Sequence, residues 1–445
     1  MAPSALILAG TLLLAAPAAQ VTGREAVPDL LHDGRFQAAR EAIGPVTVES
    51  PPEDAFLQAF VTYWTMIFED DNPALVARLE KEVELALKAA ERATEAGNDP
   101  TAALWSGNAH LVLAELRAGQ RKSFSAAFEA KKAKKILEVA FSAGVRQDDA
   151  LFGLGTYNYM ADTLPSFIKG LRALLFIPKG NRAGGLEQLR KAAESSRTFG
   201  FEARILLITI YAHKHERRYV EALAERDRLL AAAPDRIAAL YAAARLDLSL
   251  SRNRSAIAWI TKAQEQAATL SDVDPVVLRS LDLLRARAEL ADLRPDLAAA
   301  TARRAIDARQ GLGVGIKRDL ESILKASREY AQGIEWTRVA ESDAAALTAL
   351  AEAAPADPRL ALIAGDAQLR AGRASEASAW LERAEGAGLA RGWMGGCLLR
   401  QGQAADLGGN RARAVALYKR ASETTGFPGK DAAYYHQAVP YRAGT

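Results

Sequence analysis

An all-α solenoid of antiparallel helix pairs is the fold this sequence predicts, and three observations predict it. A small-residue motif returns in nearly constant phase: Ala222, Leu229 and Pro234 in RRYVEALAERDRLLAAAPD, then Ala256 and Ala263 in SRNRSAIAWITKA, a step of 34 residues from Ala222 to Ala256. It returns again as Ala377 and Ala384, and 37 residues beyond Ala377 as Ala414 and Ala421. A period of this length corresponds to one helix–turn–helix per unit. The composition agrees: 49% hydrophobic but only 7% aromatic, and rich in Ala, Leu, Arg and Glu, it favours helices over strands. Thirdly, Gly365 precedes Ala377 by 12 residues and Gly402 precedes Ala414 by the same 12. Small residues at both places let two antiparallel backbones close, and a bulkier side chain there would overpack the contact at a cost of about 1–3 kcal/mol. At 445 residues the chain exceeds one ordinary core. No single unit buries its own apolar face, so stacking of neighbours supplies the stability.

The elements follow in order. Residues 1–19 read MAPSALILAGTLLLAAPAA, with an apolar run from Ser4 to Leu14 and Ala16-Pro17-Ala18 as a small-x-small cleavage pattern. The run is shorter than the roughly 20 residues that span a bilayer, so 1–18 is expected to be a cleaved export signal. Leu30 to Gly44 looks like half a repeat, with Gly34 at the turn and Ala39 at the tight packing position. Pro51 and Pro52 break the chain before helices at 55–69 and 73–97, the second ended by Gly97 to Pro100. Two more helices follow, with Gly107 at a close approach. The pattern changes between Ala150 and Tyr211, where 164–178 (LPSFIKGLRALLFIP) forms an amphipathic insertion. The predicted organisation is N-terminal repeats over 19–200, a regular array over 201–312, and a C-terminal array with a capping helix over 313–445. Gly311, Gly313 and Gly315 make the strongest hinge candidate.

Residues 30–425 resemble tetratricopeptide repeat proteins in this 34-residue register. A narrower resemblance rests on Gly153-x-Gly155-x-Tyr157, Leu164-Pro165, and Gly180-Asn181-Arg182-x-x-Gly185-Leu186-x-x-Leu189. That stretch, 153–193, is similar to the tetratricopeptide repeat 39 / inclusion-body-clearance family. The general resemblance implies a right-handed superhelix whose concave groove is lined by the first helix of each pair. The narrower one implies no defined enzymatic activity.

The residues give no positive sign of catalysis. The five histidines are His32, His110, His213, His215 and His436. His213 and His215, at i and i+2 on a helix, point in different directions and do not make a two-histidine metal site. No Gly-x-Ser-x-Gly elbow and no Walker-type loop occurs, and GLGTYNYM and GLGVG follow no predicted strand. Glu80, Glu82 and Glu84 are expected on solvated helix surface. Cys397 is the single cysteine, so neither an intramolecular disulfide nor a cysteine metal site can form, and it reads as a small core hydrophobe. No catalytic residue, metal site or cofactor is therefore assigned. A net charge of +3 gives no sign of nucleic acid as a partner.

A protein or peptide partner is the expectation. The register of the resemblance puts Arg204, Leu207, Tyr211, Lys214 and His215 in one unit's groove, and Tyr241 and Arg245 in the next. Such cations and aromatics can hold the carboxylate and flat faces of an extended peptide, unless the tyrosines pack between helices instead. Periplasmic or cell-envelope residence follows from the export signal. The alternative is a peripheral membrane-surface protein using 164–178 together with the basic helix that carries Arg121, Lys122, Lys131, Lys132, Lys134 and Lys135. On that helix, Phe124 and Phe128 are expected to face a neighbouring helix while the lysines face water.

Overall fold

The computed structural model describes residues 23–69, 72–97, 99–163, 179–334 and 342–443, with Trp336 and Val339 between the last two. Every regular element among them is helical. The segments 1–18 and 164–178 lie outside the described residues.

Three helices start at a polar cap followed by proline. Asn72 accepts hydrogen bonds from the backbone N–H groups of Ala74 and Leu75, with Pro73 at the first helical position. Asp274-Pro275 and Asp357-Pro358 repeat the device, the aspartates accepting from Val276 and Arg359. In each case the side chain satisfies a donor that the helix cannot, and the proline lacks the donor altogether.

Two short helices, α1 (Val27–His32) and α2 (Phe36–Ile43), open the described chain. Hairpins then follow: α3 (Pro52–Phe68) with α4 (Pro73–Ala96), α5 (Ala102–Gly119) with α6 (Ser123–Ser142), and α7 (Gln147–Thr163) with α8 (Arg182–Ser195). The regular middle comprises α9 (Gly200–Ala212) with α10 (Tyr219–Ala232), α11 (Ile237–Ser249) with α12 (Asn253–Ala268), and α13 (Pro275–Ala291) with α14 (Pro295–Ala308). α15 (Val314–Ala331) packs on α13 and α14. The C-terminal array holds α16 (Ala344–Ala353), α17 (Pro358–Arg370) with α18 (Ala374–Gly386), α19 (Arg391–Leu407) with α20 (Arg411–Glu423), and a last helix, α21 (Lys430–Ala438).

The glycines of the hairpins do close the backbones, but on a different partner from the one their spacing implies. A Cβ on Gly365 would lie 2.6 Å from Leu381, one turn beyond Ala377, and a Cβ on Gly402 would strike the Tyr418 ring, one turn beyond Ala414. Gly107 seats Leu137 in the same way. Ala377 and Ala414 are themselves fully buried. The tightest crossing is α7 on α8, where a Cβ on Gly185 would stand 2.6 Å from the Tyr159 nitrogen and 2.8 Å from the Gly155 oxygen.

The expected hinge is a packed junction. Gly311 has φ +68°, and a Cβ there would overlap the backbone of Pro275, while one on Gly313 would overlap Glu69 at the end of α3. Glycine is needed here for close approach. Glu82 also departs from the expectation of solvated surface. Its carboxylate accepts from Arg40 at 3.0 Å and Arg78 at 2.9 Å and bonds the Thr62 hydroxyl, joining α2, α3 and α4.

The long apolar helix α3 packs across α9, α11 and α13. Phe56 and Phe60 meet Phe199 at 6.0 and 5.9 Å, Trp64 meets Phe201 at 6.3 Å, and Phe68 meets Tyr241 at 4.9 Å. The Ser280 hydroxyl donates to the Phe68 carbonyl at 2.6 Å. One continuous core therefore runs from Val27 to Ile323. The i, i+4, i+8, i+12 spacing of Phe56, Phe60, Trp64 and Phe68 makes one helical face, the pattern by which an amphipathic helix lies in a groove.

Candidate functional site

With α3 packed on α9, α11 and α13, one open space lies beside the seam between α1 and these helices. α1 is tied across the starts of these helices. The Asp274 N–H donates to the Gly34 carbonyl at 2.8 Å, and Arg35 grips Asp272 through two bonds of 2.5 and 2.9 Å. Arg236 donates to Asp33 at 2.5 Å and reaches Asp29 at the same distance. His32 donates its Nε2 proton to Glu202 at 3.1 Å and stacks on Phe201 at 3.7 Å.

Beside these contacts is a cleft of about 560 Å³, lined by Asp29, His32 and Asp33 from the α1 side and by Phe201, Arg204, Ala232, Ala233, Asp235 and Arg236 from the middle array. Asp33 is only 7% exposed, and its Oδ1 has no hydrogen-bond partner among the described residues. Burial pushes its carboxyl above the usual range, against the pull of Arg236. An unsatisfied buried acceptor of this kind costs about 1–3 kcal/mol. Arg204 and Arg236 supply donors for a ligand carboxylate.

The structure distributes the seven residues expected in the groove over four environments. Leu207 and Tyr211 are sealed in the core at 0% and 1% exposure. The Tyr211 hydroxyl accepts from Arg190 at 2.9 Å, and Arg218 lies 4.6 Å from its ring. Tyr241 packs on Phe68, with the exposed Arg245 at 5.8 Å from its ring. Lys214 and His215 are exposed in the turn between α9 and α10, where the rings of His213 and His215 stand 4.9 Å apart. Only Arg204 lines the cleft, held by Glu225 at 3.1 Å and the Ala193 carbonyl at 2.9 Å. Asp29, Asp33 and Arg236 carry no signal in the sequence, because about 200 residues separate the two walls.

Elsewhere, Cys397 is fully buried, and burial pushes its thiol up to about 12. Among the described residues, no group of three His, Cys, Asp or Glu side chains is gathered as a metal would require, and no helix is long and apolar enough to cross a membrane. Phe124 and Phe128 contradict their expected burial: they are 51% and 48% exposed on α6. The core face of α6 is made instead by four alanines, Ala126, Ala127, Ala133 and Ala140, with Leu137 seated over Gly107 of α5.

The fold so defined is an all-α superhelix of the tetratricopeptide type. No protein-family model and no curated protein matches the chain. Among solved structures it is similar to a tetratricopeptide repeat protein from Parabacteroides merdae, at 15% identity and TM-score 0.32, over 68% of this chain and 98% of that one. It is also similar to a human IFIT1 dimer with PPP-AAAA, at 15% identity and TM-score 0.30, over 90% and 94% of the two chains. Superposition this loose bears on neither ligand nor activity.

Proposed function

We infer that the protein is a non-catalytic, exported helical-repeat scaffold that holds a protein or peptide partner in the cell envelope. The observation that carries this reading is a roughly 560 Å³ cleft whose lining mixes the carboxylates of Asp29, Asp33 and Asp235 with the guanidinium groups of Arg204 and Arg236. A peptide can offer N–H donors to the carboxylates and carbonyl or carboxylate oxygens to the remaining guanidinium donors. Export is supported by the apolar run Ser4 to Leu14 followed by Ala16-Pro17-Ala18. A lone buried cysteine is also compatible with an oxidising compartment.

The test is affinity capture from envelope extract of the source organism, comparing the chain from Ala19 with its Ala232→Trp variant. Ala232 is exposed at the cleft mouth, so the bulky ring obstructs the opening without entering the core. A partner captured by the parent and lost in the variant supports the reading. Equal capture by both removes the cleft as the site, and no captured protein from either contradicts the scaffold function.

A further inference from the structure

We propose that the outward face of α6 is a docking surface for an anionic lipid bilayer. This goes beyond the peptide-binding reading and uses no residue of the cleft. Phe124 and Phe128 stand one turn apart on this face, about half exposed, and Val139 continues it at 58% exposure. Lys131, Lys132 and Lys135 occupy the turns between the phenylalanines and Val139, and Arg121 and Lys122 flank the start of the helix. At 100° per residue, Phe124, Phe128, Lys131, Lys135 and Val139 fall within one 80°-wide stripe, opposite the alanines that touch the core.

Two features separate this face from ordinary surface. The outward positions of α18, in a regular hairpin of the same chain, carry only small or charged residues, Ser375, Glu376, Ala379, Glu382 and Arg383. A large aromatic pair outside is therefore not a property of the repeat. The charge is also one-sided. Glu129 is occupied by His110 at 2.7 Å and Lys132 at 3.4 Å, and Glu138 by Lys134 at 2.6 Å, leaving the patch with a clear excess of positive charge. Lys134 itself points inward, 5.8 Å from the Tyr157 ring, and takes no part.

Aromatic rings between long basic side chains on one helix match the depth profile of a bilayer interface. The rings enter the boundary of the acyl chains while the ammonium groups stay at the level of the phosphates. The positive excess selects an anionic headgroup layer over a neutral one.

The experiment is co-sedimentation of the full chain with vesicles of phosphatidylcholine alone or mixed with phosphatidylglycerol. Two variants with retained helicity by circular dichroism run beside it, Phe124→Ser/Phe128→Ser and Lys131→Glu/Lys132→Glu/Lys135→Glu. Binding should appear with the anionic vesicles, weaken as salt rises, and fall at least tenfold in the phenylalanine variant. Neutralising three lysines alone would cost about a hundredfold, so the glutamate variant should show no binding above that to neutral vesicles. Equal binding by parent and both variants, or no preference for the anionic vesicles, overturns the proposal. So does light scattering that shows a dimer of the parent abolished by the same substitutions, which would assign the face to a second copy of the chain.

Discussion

The body from α1 to α15 and the array from α16 to α21 are built from the same hairpin, but the centre of the body's closure is aromatic, with ionic ties at its α1 edge, while the array's is ionic. In the body the seam is aromatic: Phe56, Phe60, Trp105 and Phe152 all lie within 6.2 Å of Phe199. The C-terminal array docks on the body through buried charge. Arg400 donates to Asp366 at 2.7 Å and to the Ala291 carbonyl at 3.2 Å, and Arg370 holds Asp366 at 2.9 Å and faces Asp292 at 3.9 Å. Burial alone would push Asp366 up, but Arg400 and Arg370 outweigh it and hold the carboxyl below the ordinary range. α21 adds polar ties to the middle array, with the Tyr219 hydroxyl donating to Asp431 at 3.0 Å and Arg252 to the Tyr435 hydroxyl at 3.3 Å. An apolar seam tolerates partial loss in proportion to area. A buried ionic seam fails when one partner is removed, because the other charge is stranded.

The sharpest way to break the comparison is at its two centres. Phe199→Ala empties a fully buried site ringed by aromatic side chains that cannot all collapse inward, and should cost about 5 kcal/mol in denaturant unfolding. Arg400→Ala leaves the buried Asp366 with only the partly exposed Arg370 and should cost about 3 kcal/mol, most of it recovered when Arg400→Met is combined with Asp366→Leu. Phe199→Ala has no such rescue by a second substitution across its contact. If the Asp366 double variant stays as unstable as Arg400→Ala, the ionic description of the C-terminal seam is wrong.

Acid sharpens the contrast further. His436 of α21 is buried against Tyr418, with rings 5.3 Å apart, and burial pushes its imidazole down to about 4. The unfolded chain takes up a proton near pH 6.5 that the folded chain refuses until about pH 4. Stability is therefore full above that window and falls through it as pH drops, by up to about 3 kcal/mol. His436→Gln should flatten the slope between pH 6.5 and 4 in thermal unfolding, with the pH response of the aromatic seam unchanged. The smallest effect is at Cys397. Its raised, inaccessible thiol should not react with a thiol reagent at pH 8 until the array unfolds, and reaction in the native protein would contradict its burial.

The repeat was legible because its cause is local. Small residues recur where two consecutive helices cross, and that spacing survives in the linear order as Ala222, Ala256, Ala377 and Ala414. The cap-plus-proline starts at Asn72, Asp274 and Asp357 are local in the same sense. Closure was not legible, because it joins residues far apart, such as Phe56 with Phe199 or Gly34 with Asp274. Nothing in periodicity says which wall of a superhelix an apolar helix will face. The seven groove residues illustrate the consequence: register placed them on first helices, but the α3 seam took Tyr241 and the core took Leu207 and Tyr211. Arg204 alone reached the cleft, beside Asp33 and Arg236, which only the folded chain brings near. Phe124 and Phe128 failed for a different reason. Burial was inferred from their apolarity, while the core side of α6 is reserved for alanines by its close packing on α5.

The most direct test of the sealed α3 seam is native-state hydrogen exchange, followed by mass spectrometry, on α3 and on the C-terminal array. If α3 is sealed against α9, α11 and α13, its amides should exchange only through global unfolding, while α17 to α20 open earlier through a smaller, separate transition. Early exchange of α3, at rates matching an exposed hairpin, would mean that the groove is open in solution and would contradict the closure on which the cleft depends.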